Sequence, residues 1–524
     1  MIRKLLLSAA CALTTLASSA QCDSTTIPSD YTLASDLIMS GTYFINGTFT
    51  VPAAFTVTIT PYSSNSCGEL KIYADNIVID GVINGDFAGY VGGTGGARGT
   101  IVGSSTGHTA SLASCDDPDN EGNITVEAGF GGLDGNGPGA GQGGADGQDG
   151  SGSKQWCGNT ADEAGVIGGA GGAGGGSGGS YGGAGSIGAD GGDGSSGAVT
   201  NNLIIEGTYP IVGGSGGSGG ASTAVVGTDA ARDIDLGSGG AGSGGGGRSF
   251  NNGTAGALGG TGGAVVLLHG TLSVDVTGTI SVIGENGGNG GNGGDGDATA
   301  DCCSDLCNGC DERTFTSGSG AGSGAGGGSG GGIFIESLGT ADVSGNLNVD
   351  GGDGGAKGSN GAGVTCVYTD FVCGDQDIST GNASGGNSGG AGGGGRIKIY
   401  VLDCVNANLN PVIGVAAGIG NGTAGIGTYE EVCGYAGLSK PELSIGWVIY
   451  PNPASTTLNI EFHSGLNFES ENRLEMYNNL GQVVYSTDQL KPEMNVDLNN
   501  FDSGIYMVRI VTATGTEIKK IVKK

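Results

Sequence analysis

A glycine array with a period of three constrains this chain more than any other feature. Glycine stands at every third position from Gly176 to Gly197. The period returns at Gly284, Gly287, Gly290, Gly293 and Gly296, at Gly352, Gly355, Gly358 and Gly361, and at Gly386, Gly389, Gly392 and Gly395. Three is neither the 3.6 of an α-helix nor the 2 of a strand. It matches an extended helix with three residues per turn, glycine standing wherever another backbone leaves no room for a Cβ. A collagen reading fails on composition, since 120 glycines are accompanied by only 11 prolines in 524 residues. Polyglycine II remains: extended helices side by side, their backbone N–H and C=O groups bonded between helices. The alternative is a flexible Gly/Ser coil. The strict register and the patterned interruptions favour the ordered form.

The interruptions follow one scheme: an apolar run, a glycine arm, a tip without glycine, a second arm, and the next apolar run. Between Gly284 and Gly332 the tip holds Cys302, Cys303, Cys307 and Cys310; between Gly351 and Gly395 it holds Cys366 and Cys373. An earlier excursion, 131–197, carries Trp156 and Cys157, and the one at 213–247 has a polar tip. These read as hairpins whose arms of about 11–14 residues reach roughly 35–45 Å at ~3.1 Å per residue.

The apolar runs read as rungs. They are Leu70–Ala74 with Ile77–Ile83, then Ala264–Leu268 with Leu272–Val276 and Ile280–Val282. Ile333–Ile335 follows with Ala341–Val343 and Leu347–Val349, and last comes Ile397–Val401. Each is a set of short alternating strands separated by turn residues such as Thr277-Gly278 and Ser344-Gly345. Strand, bend, strand, bend, strand describes one coil of a parallel β-helix or β-solenoid, and such coils must stack to bury their apolar faces. The expected fold is all-β: solenoid coils with projecting polyglycine II-like hairpins, followed by a small C-terminal antiparallel β-sandwich.

The expected organisation is a signal peptide over 1–20, capping and first coils over 21–130, the glycine array interleaved with coils over 131–395, a last coil over 396–435, a linker over 436–445 and the sandwich over 446–524. Arg3 and Lys4 precede the apolar Leu5–Leu16, and Ser18-Ser19-Ala20 places cleavage between Ala20 and Gln21. Export permits disulfides. Losing Cys11 with the signal leaves 12 of the 13 cysteines, an even number. Candidate pairs are Cys115 with Cys157, Cys366 with Cys373, and pairs among Cys302, Cys303, Cys307 and Cys310. A metal site in that last cluster is the alternative, and connectivity is not readable from sequence.

The formal net charge is −32, carried almost wholly by the glycine-rich body. A basic footprint for nucleic acid is missing. The scattered carboxylates read either as solubilising charge or as structural calcium ligands, which is the one cofactor left open. Asp117-Pro118-Asp119-Asn120-Glu121-Gly122 begins like an EF-hand loop, but the twelfth position is Ala128 where a bidentate Glu belongs.

After residue 440 glycine thins out and ordinary alternating strands appear. Leu458, Ile460 and Phe462 share a face, as do Leu474 and Met476, then Tyr506, Val508 and Ile510. Three marks stand out: Tyr450-Pro451-Asn452-Pro453, then Leu474–Val484 with Gly481, then Gly504-Ile505-Tyr506 with the basic end Lys519-Lys520-Ile521-Val522-Lys523-Lys524. On these residues the tail resembles the C-terminal sorting domain of the type IX secretion system. The resemblance implies passage to the periplasm, recognition by an outer-membrane translocon, removal of the tail by its sorting peptidase, and release or attachment to a surface glycolipid.

Signals for catalysis are sparse. The three histidines, His108, His269 and His463, fall in no triad or zinc motif. The resulting expectation is a secreted or cell-surface structural or adhesive protein without catalytic activity. The alternatives are an ice-binding protein using a flat glycine-helix face and a β-helix polysaccharide-degrading enzyme. Extracellular polysaccharide or ice would then be the partner.

Overall fold

The computed structural model describes residues 24–100, 122–157, 162–196, 212–227, 234–249, 251–296, 313–363, 365–368, 376–379, 381–403, 405–433, 446–464, 472–478, 483–511 and 516–524. The chain divides into two compact units, Met1–Gly434 and Tyr435–Lys524. Every regular element among the described residues is a strand.

Two parallel sheets form the apolar part of the first unit. One runs Ser24–Ile27, Gly41–Val51, Glu69–Ile79, Val265–Val276, Gly332–Ser337, Arg396–Val401, Thr428–Cys433. The other runs Leu37–Met39, Thr56–Ile59, Val82–Asn84, Thr279–Ser281, Asn346–Asn348, Val412–Gly414. The β-branched rung residues fall into vertical columns, as their half-buried pleated positions favour. Ile72, Leu268, Ile335 and Ile399 make one column. Ile79, Val276 and Val343 make a second, and Ile83, Ile280 and Leu347 a third. All are fully buried, each worth roughly 1.5–3 kcal/mol over an exposed counterpart.

Glycine at the bends lets one rung seat on another. The Gly278 and Gly345 amides donate to the carbonyls of Ile79 (2.8 Å) and Val276 (2.9 Å) on neighbouring rungs. A Cβ at Gly278 would lie 2.0 Å from the Gly81 oxygen, and one at Gly345 would lie 2.0 Å from the Gly278 oxygen. One sequence expectation changes. The breaks read after Ala74 and Leu268 are irregularities inside the continuous strands Glu69–Ile79 and Val265–Val276, with a register shift between Gly270 and Ser273. The described pairings make two parallel sheets, each taking a strand in turn from the successive rungs.

The glycine-rich segments bond sideways. Gly172, Ala173 and Gly174 donate in turn to Gly192, Gly245 and Ala145 at 2.8, 3.0 and 2.9 Å. Three residues on, Gly175, Gly176 and Ser177 donate to Ala189, Gly324 and Gln142 at 2.8, 3.2 and 3.0 Å. The carbonyls of Gly172, Ala173 and Gly176 accept from Gly217, Ser323 and Gly390 at 3.0, 3.1 and 2.9 Å. Successive residues thus face different neighbours, and this segment bonds to six others. Close approach is what demands glycine: a Cβ at Gly178 would stand 1.9 Å from the Ala391 oxygen, and one at Gly326 1.9 Å from the Ser177 oxygen. Where the interior admits a side chain it is small, as with the buried Ala170, Ala173, Ala321, Ala391 and Ser323. Ser323 donates its hydroxyl to the Asp190 carbonyl (2.6 Å) and accepts the Asn387 amide (2.8 Å).

The second unit has two antiparallel sheets. Gly446–Tyr450, Thr457–Ser464 and Glu493–Asp497 form one; Val483–Thr487, Arg473–Tyr477, Gly504–Val511 and Thr516–Lys523 form the other. Trp447, Leu458, Ile460, Leu474, Met476, Val508, Ile510 and Ile521 are buried together.

Candidate functional site

The motif residues of the tail converge on its last strand. The Asn452 amide nitrogen donates to the Lys520 carbonyl (2.9 Å), and its oxygen accepts the Val522 amide (3.0 Å). One side chain thus imitates a strand neighbour for Thr516–Lys523. Ala454 continues the contact, donating to the Val522 carbonyl and accepting from Lys524, both at 2.8 Å. The peptide bonds before Pro451 and Pro453 are cis. On the other side of the strand, Gly504 pairs with Lys523 and Tyr506 with Ile521. The Tyr506 hydroxyl donates to the Asp502 carbonyl (2.8 Å), and its ring meets Phe501 edge-on. A tyrosine tied to the backbone just upstream is a recurrent β-sandwich device.

The basic end is divided. Lys519 donates to the Trp447 carbonyl (2.6 Å), with its ammonium 5.0 Å from the centre of the Trp447 ring, a cation–π contact. Lys520 and Lys524 are exposed and present charge outward. Tyr450 is half exposed, its hydroxyl bonded to Glu461 (3.2 Å). Nothing lies within 4 Å of a Cβ added at Gly504.

Beside this strand sits a charged knot. Glu475 accepts from the Tyr477 hydroxyl and from Arg509 Nε (3.1 Å) and pairs with Arg473 (2.9 Å). The Tyr477 hydrogen bond, followed by that from Arg509, holds the Glu475 carboxyl below its ordinary range.

On the glycine body, the acidic residues have a role the sequence reading missed. An outer segment lacks neighbours on one side, so some of its amides have no backbone acceptor. Asp and Asn side chains supply one. Asn286 accepts the Asp353 amide (2.7 Å), Asp353 accepts the Ile419 amide (2.7 Å), and Asp295 accepts the Ala362 amide (2.8 Å). Elsewhere Asp193 serves Gly216 (2.7 Å), Asp190 serves Gly219 (3.0 Å), and Asp146 serves Gly131 (2.7 Å). The spacing of three in Asn286, Asn289, Asn292 and Asp295, and in Asp190 and Asp193, was the available signal.

The rungs bring further titratable groups together. His269 and Glu336 are register partners, buried and bonded at 2.9 Å. Asp275 and Asp342 are also partners. Burial and then the Asp342 charge push the Asp275 carboxyl up. Among the described residues no group of three or more His, Cys, Asp and Glu side chains is placed to hold a metal.

Several sequence candidates lie outside the described residues: Ala20 and Gln21, the Asp117–Glu121 stretch, Gly481, and Cys115, Cys302, Cys303, Cys307, Cys310 and Cys373. Cys157 and Cys366 lie on the strands Gly150–Cys157 and Thr365–Tyr368, but their side chains are outside the description. Cys67 and Cys433, which the spacing argument did not single out, are disulfide-bonded.

Comparison with known proteins bears on the second unit. A family model described as the secretion system C-terminal sorting domain matches residues 448–524. No curated protein matches the chain. Among solved structures the chain is similar to PorZ of Porphyromonas gingivalis, described as an essential bacterial surface component of the type-IX secretion system. The identity is 17% over 17% of this chain and 13% of PorZ, with a TM-score of 0.14. It is also similar to a Bacteroides vulgatus protein with an immunoglobulin-like β-sandwich fold, at 15% identity over 15% of this chain and 96% of that one, with a TM-score of 0.13. The chain therefore spans a small part of PorZ's length. The family match marks residues 448–524 as a type IX sorting tail and the chain as a secreted or cell-surface protein. Among the described residues no helix is long and apolar enough to cross a membrane.

Proposed function

We propose, from the premise that residues 448–524 are a type IX sorting tail, that the body they export is a non-catalytic structural or adhesive element of the cell surface or its surroundings. In this reading the two parallel sheets are faces of a β-solenoid, and the glycine segments are a polyglycine II bundle projecting from it. The translocon and sorting peptidase engage the tail, and a surface glycolipid receives the body. Disulfides at the hairpin tips tie the arms. Calcium has no required place, because many arm carboxylates already accept backbone amides.

The observation that carries this reading is the lateral bonding of the 172–177 stretch to six other segments. A lattice of that kind spends its residue choices on backbone contact and leaves few side chains for chemistry. It is a rigid block whose outer rows repeat every three residues. The ice-binding alternative draws on the exposed Ala356, Ser359 and Ala362, but the neighbouring outward row of Asn286, Asn289, Asn292 and Asp295 interrupts that face with amides and a carboxylate.

A polysaccharide-degrading enzyme has one observation in its favour, the Asp275–Asp342 pair on neighbouring rungs. Against it, Asp342 is engaged by Asn408 (3.0 Å) and the adjacent Asp80 by Thr277 (2.7 Å), as ladder partners would be. The test compares host cells with and without the protein for attachment and matrix cohesion, alongside polysaccharide turnover by the purified chain. Loss of attachment or cohesion with no turnover supports the proposal. Turnover abolished by Asp275→Asn overturns it.

A further inference from the structure

A notch where the rungs meet the glycine segments has the make-up of a sugar site. It measures about 330 Å³ and is lined by Tyr62, Ser63, Ser64, Tyr90, Val91 and Asn136, with Gly137 closing it. The two tyrosine rings meet edge to face, with centroids 4.8 Å apart. Tyr90 packs against Gly137, where a Cβ would stand 2.6 Å from the ring, so only glycine leaves the ring its place; φ at Gly137 is +102°.

The backbone around the notch is held firmly. The Tyr62 amide donates to the Ala88 carbonyl (2.9 Å), and Asn136 donates both its amides, main-chain and side-chain, to the Val91 carbonyl at 3.0 Å. Phe87, just before Ala88, has φ +57° and is the one non-glycine residue with positive φ among those described. Such outliers gather at binding sites more often than elsewhere.

Hydrogen-bonding capacity is left over. Among the described residues, the phenols of Tyr62 and Tyr90, the Ser64 hydroxyl and the Asn136 side-chain oxygen make no hydrogen bond within the protein. A corner of two aromatic rings inclined at 63°, rimmed by hydroxyls and an amide oxygen, offers ring surface to the apolar C–H face of a pyranose and polar partners to its girdle of hydroxyls. Burial and the nearby Asp235 push the Tyr90 phenol up, so the notch stays neutral and faces negative charge. With a chain net charge of −32, an acidic sugar is disfavoured. An apolar row continues from the notch: Val91, Leu133 and Phe130 are all exposed. Asn136 and Leu133 donate their amides to Val91 and Thr94 across one junction, so this row follows a single pair of segments. We propose that this notch binds a neutral hexose unit of an extracellular polysaccharide, with the chain continuing along the Val91–Leu133–Phe130 row.

The inference goes beyond the structural role and does not depend on it, because it rests on the Tyr62, Ser64, Tyr90 and Asn136 side chains of the notch and not on what the glycine lattice does. The test is calorimetric titration of the full mature chain with cellohexaose, laminarihexaose and mannohexaose, with hexagalacturonate as the acidic control. Binding of at least one neutral hexasaccharide is expected. It should weaken at least tenfold in Tyr90→Ala and several-fold in Asn136→Ala, with little binding of hexagalacturonate. Because Tyr90→Ala removes packing, Tyr62→Ala and Ser64→Ala are measured alongside, with thermal melting to confirm folding; folded variants should still lose affinity. The proposal is overturned by no binding to any neutral oligosaccharide, by preference for the galacturonate, or by undiminished binding in folded Tyr62→Ala and Tyr90→Ala.

Discussion

Asp353 accepts the backbone amide of Ile419 through Oδ1 at 2.7 Å. The two residues lie on neighbouring outer segments, and Asp353 in turn donates its own amide to Asn286 (2.7 Å). The pair shows how the edge of a glycine lattice is finished. Asp353→Asn keeps an accepting oxygen and should be close to neutral. Asp353→Ala leaves the Ile419 amide to water and should cost about 0.5–1.5 kcal/mol. Thermal unfolding of the two variants checks this, and equal losses would show that charge, not the hydrogen bond, matters.

Substitution at glycine separates contact from flexibility. Gly178→Ala forces a Cβ to 1.9 Å from the Ala391 oxygen and should cost about 1–3 kcal/mol or more, as overpacking does. Gly504→Ala meets nothing within 4 Å and should leave the tail's stability unchanged, although Gly504 belongs to the sorting marks. Melting curves of the body and of the tail would report each.

Much of this was legible in the sequence. The rungs at 70–83, 264–282, 333–349 and 397–401 are the strands of the parallel sheets, because alternating β-branched residues can bury only one way. The three-residue glycine period announced segments packed on one another's backbones. What stayed hidden depends on which segment sits next to which. Asp190 and Asp193 read as solubilising charge until the Gly219 and Gly216 amides are seen beside them. Asn452 and Lys520 stood out separately, and nothing in their spacing said that one holds the other's strand. Tyr62, Tyr90 and Asn136 carry no periodic signal at all.

The Asn452 clamp should matter for export. Asn452→Ala removes both bonds to the last strand and should lower tail stability by about 1–3 kcal/mol, with more protein retained in the periplasm. Deleting residues 446–524 should retain all of it. Fractionation of cells and medium measures both. Normal secretion of the deletion would remove the sorting role, and normal secretion of Asn452→Ala would confine the clamp to structure.

Acid should loosen the tail through Glu475. Its carboxyl is held below the ordinary carboxylate value of 4.5 by Tyr477 and then Arg509. A group depressed in the folded state adds stability above its unfolded pKa, which is lost as pH falls through the folded value. The tail should therefore weaken from about pH 4.5 downward, and Glu475→Gln should flatten that dependence while lowering stability at neutral pH. Denaturant melts of the isolated sorting unit between pH 3 and 7 would show it. An unchanged acid slope in Glu475→Gln would place the dependence elsewhere.

The glycine segments form an ordered, laterally bonded lattice and not coil. Amide hydrogen exchange of the mature chain, read by mass spectrometry at peptide resolution, tests it directly. Segments 168–180, 237–247 and 317–331 should exchange as slowly as the buried strands Glu69–Ile79 and Val265–Val276, with Asn286–Asp295 at the outer edge somewhat faster. Complete exchange of the interior segments within seconds, while the strands stay protected, would contradict it.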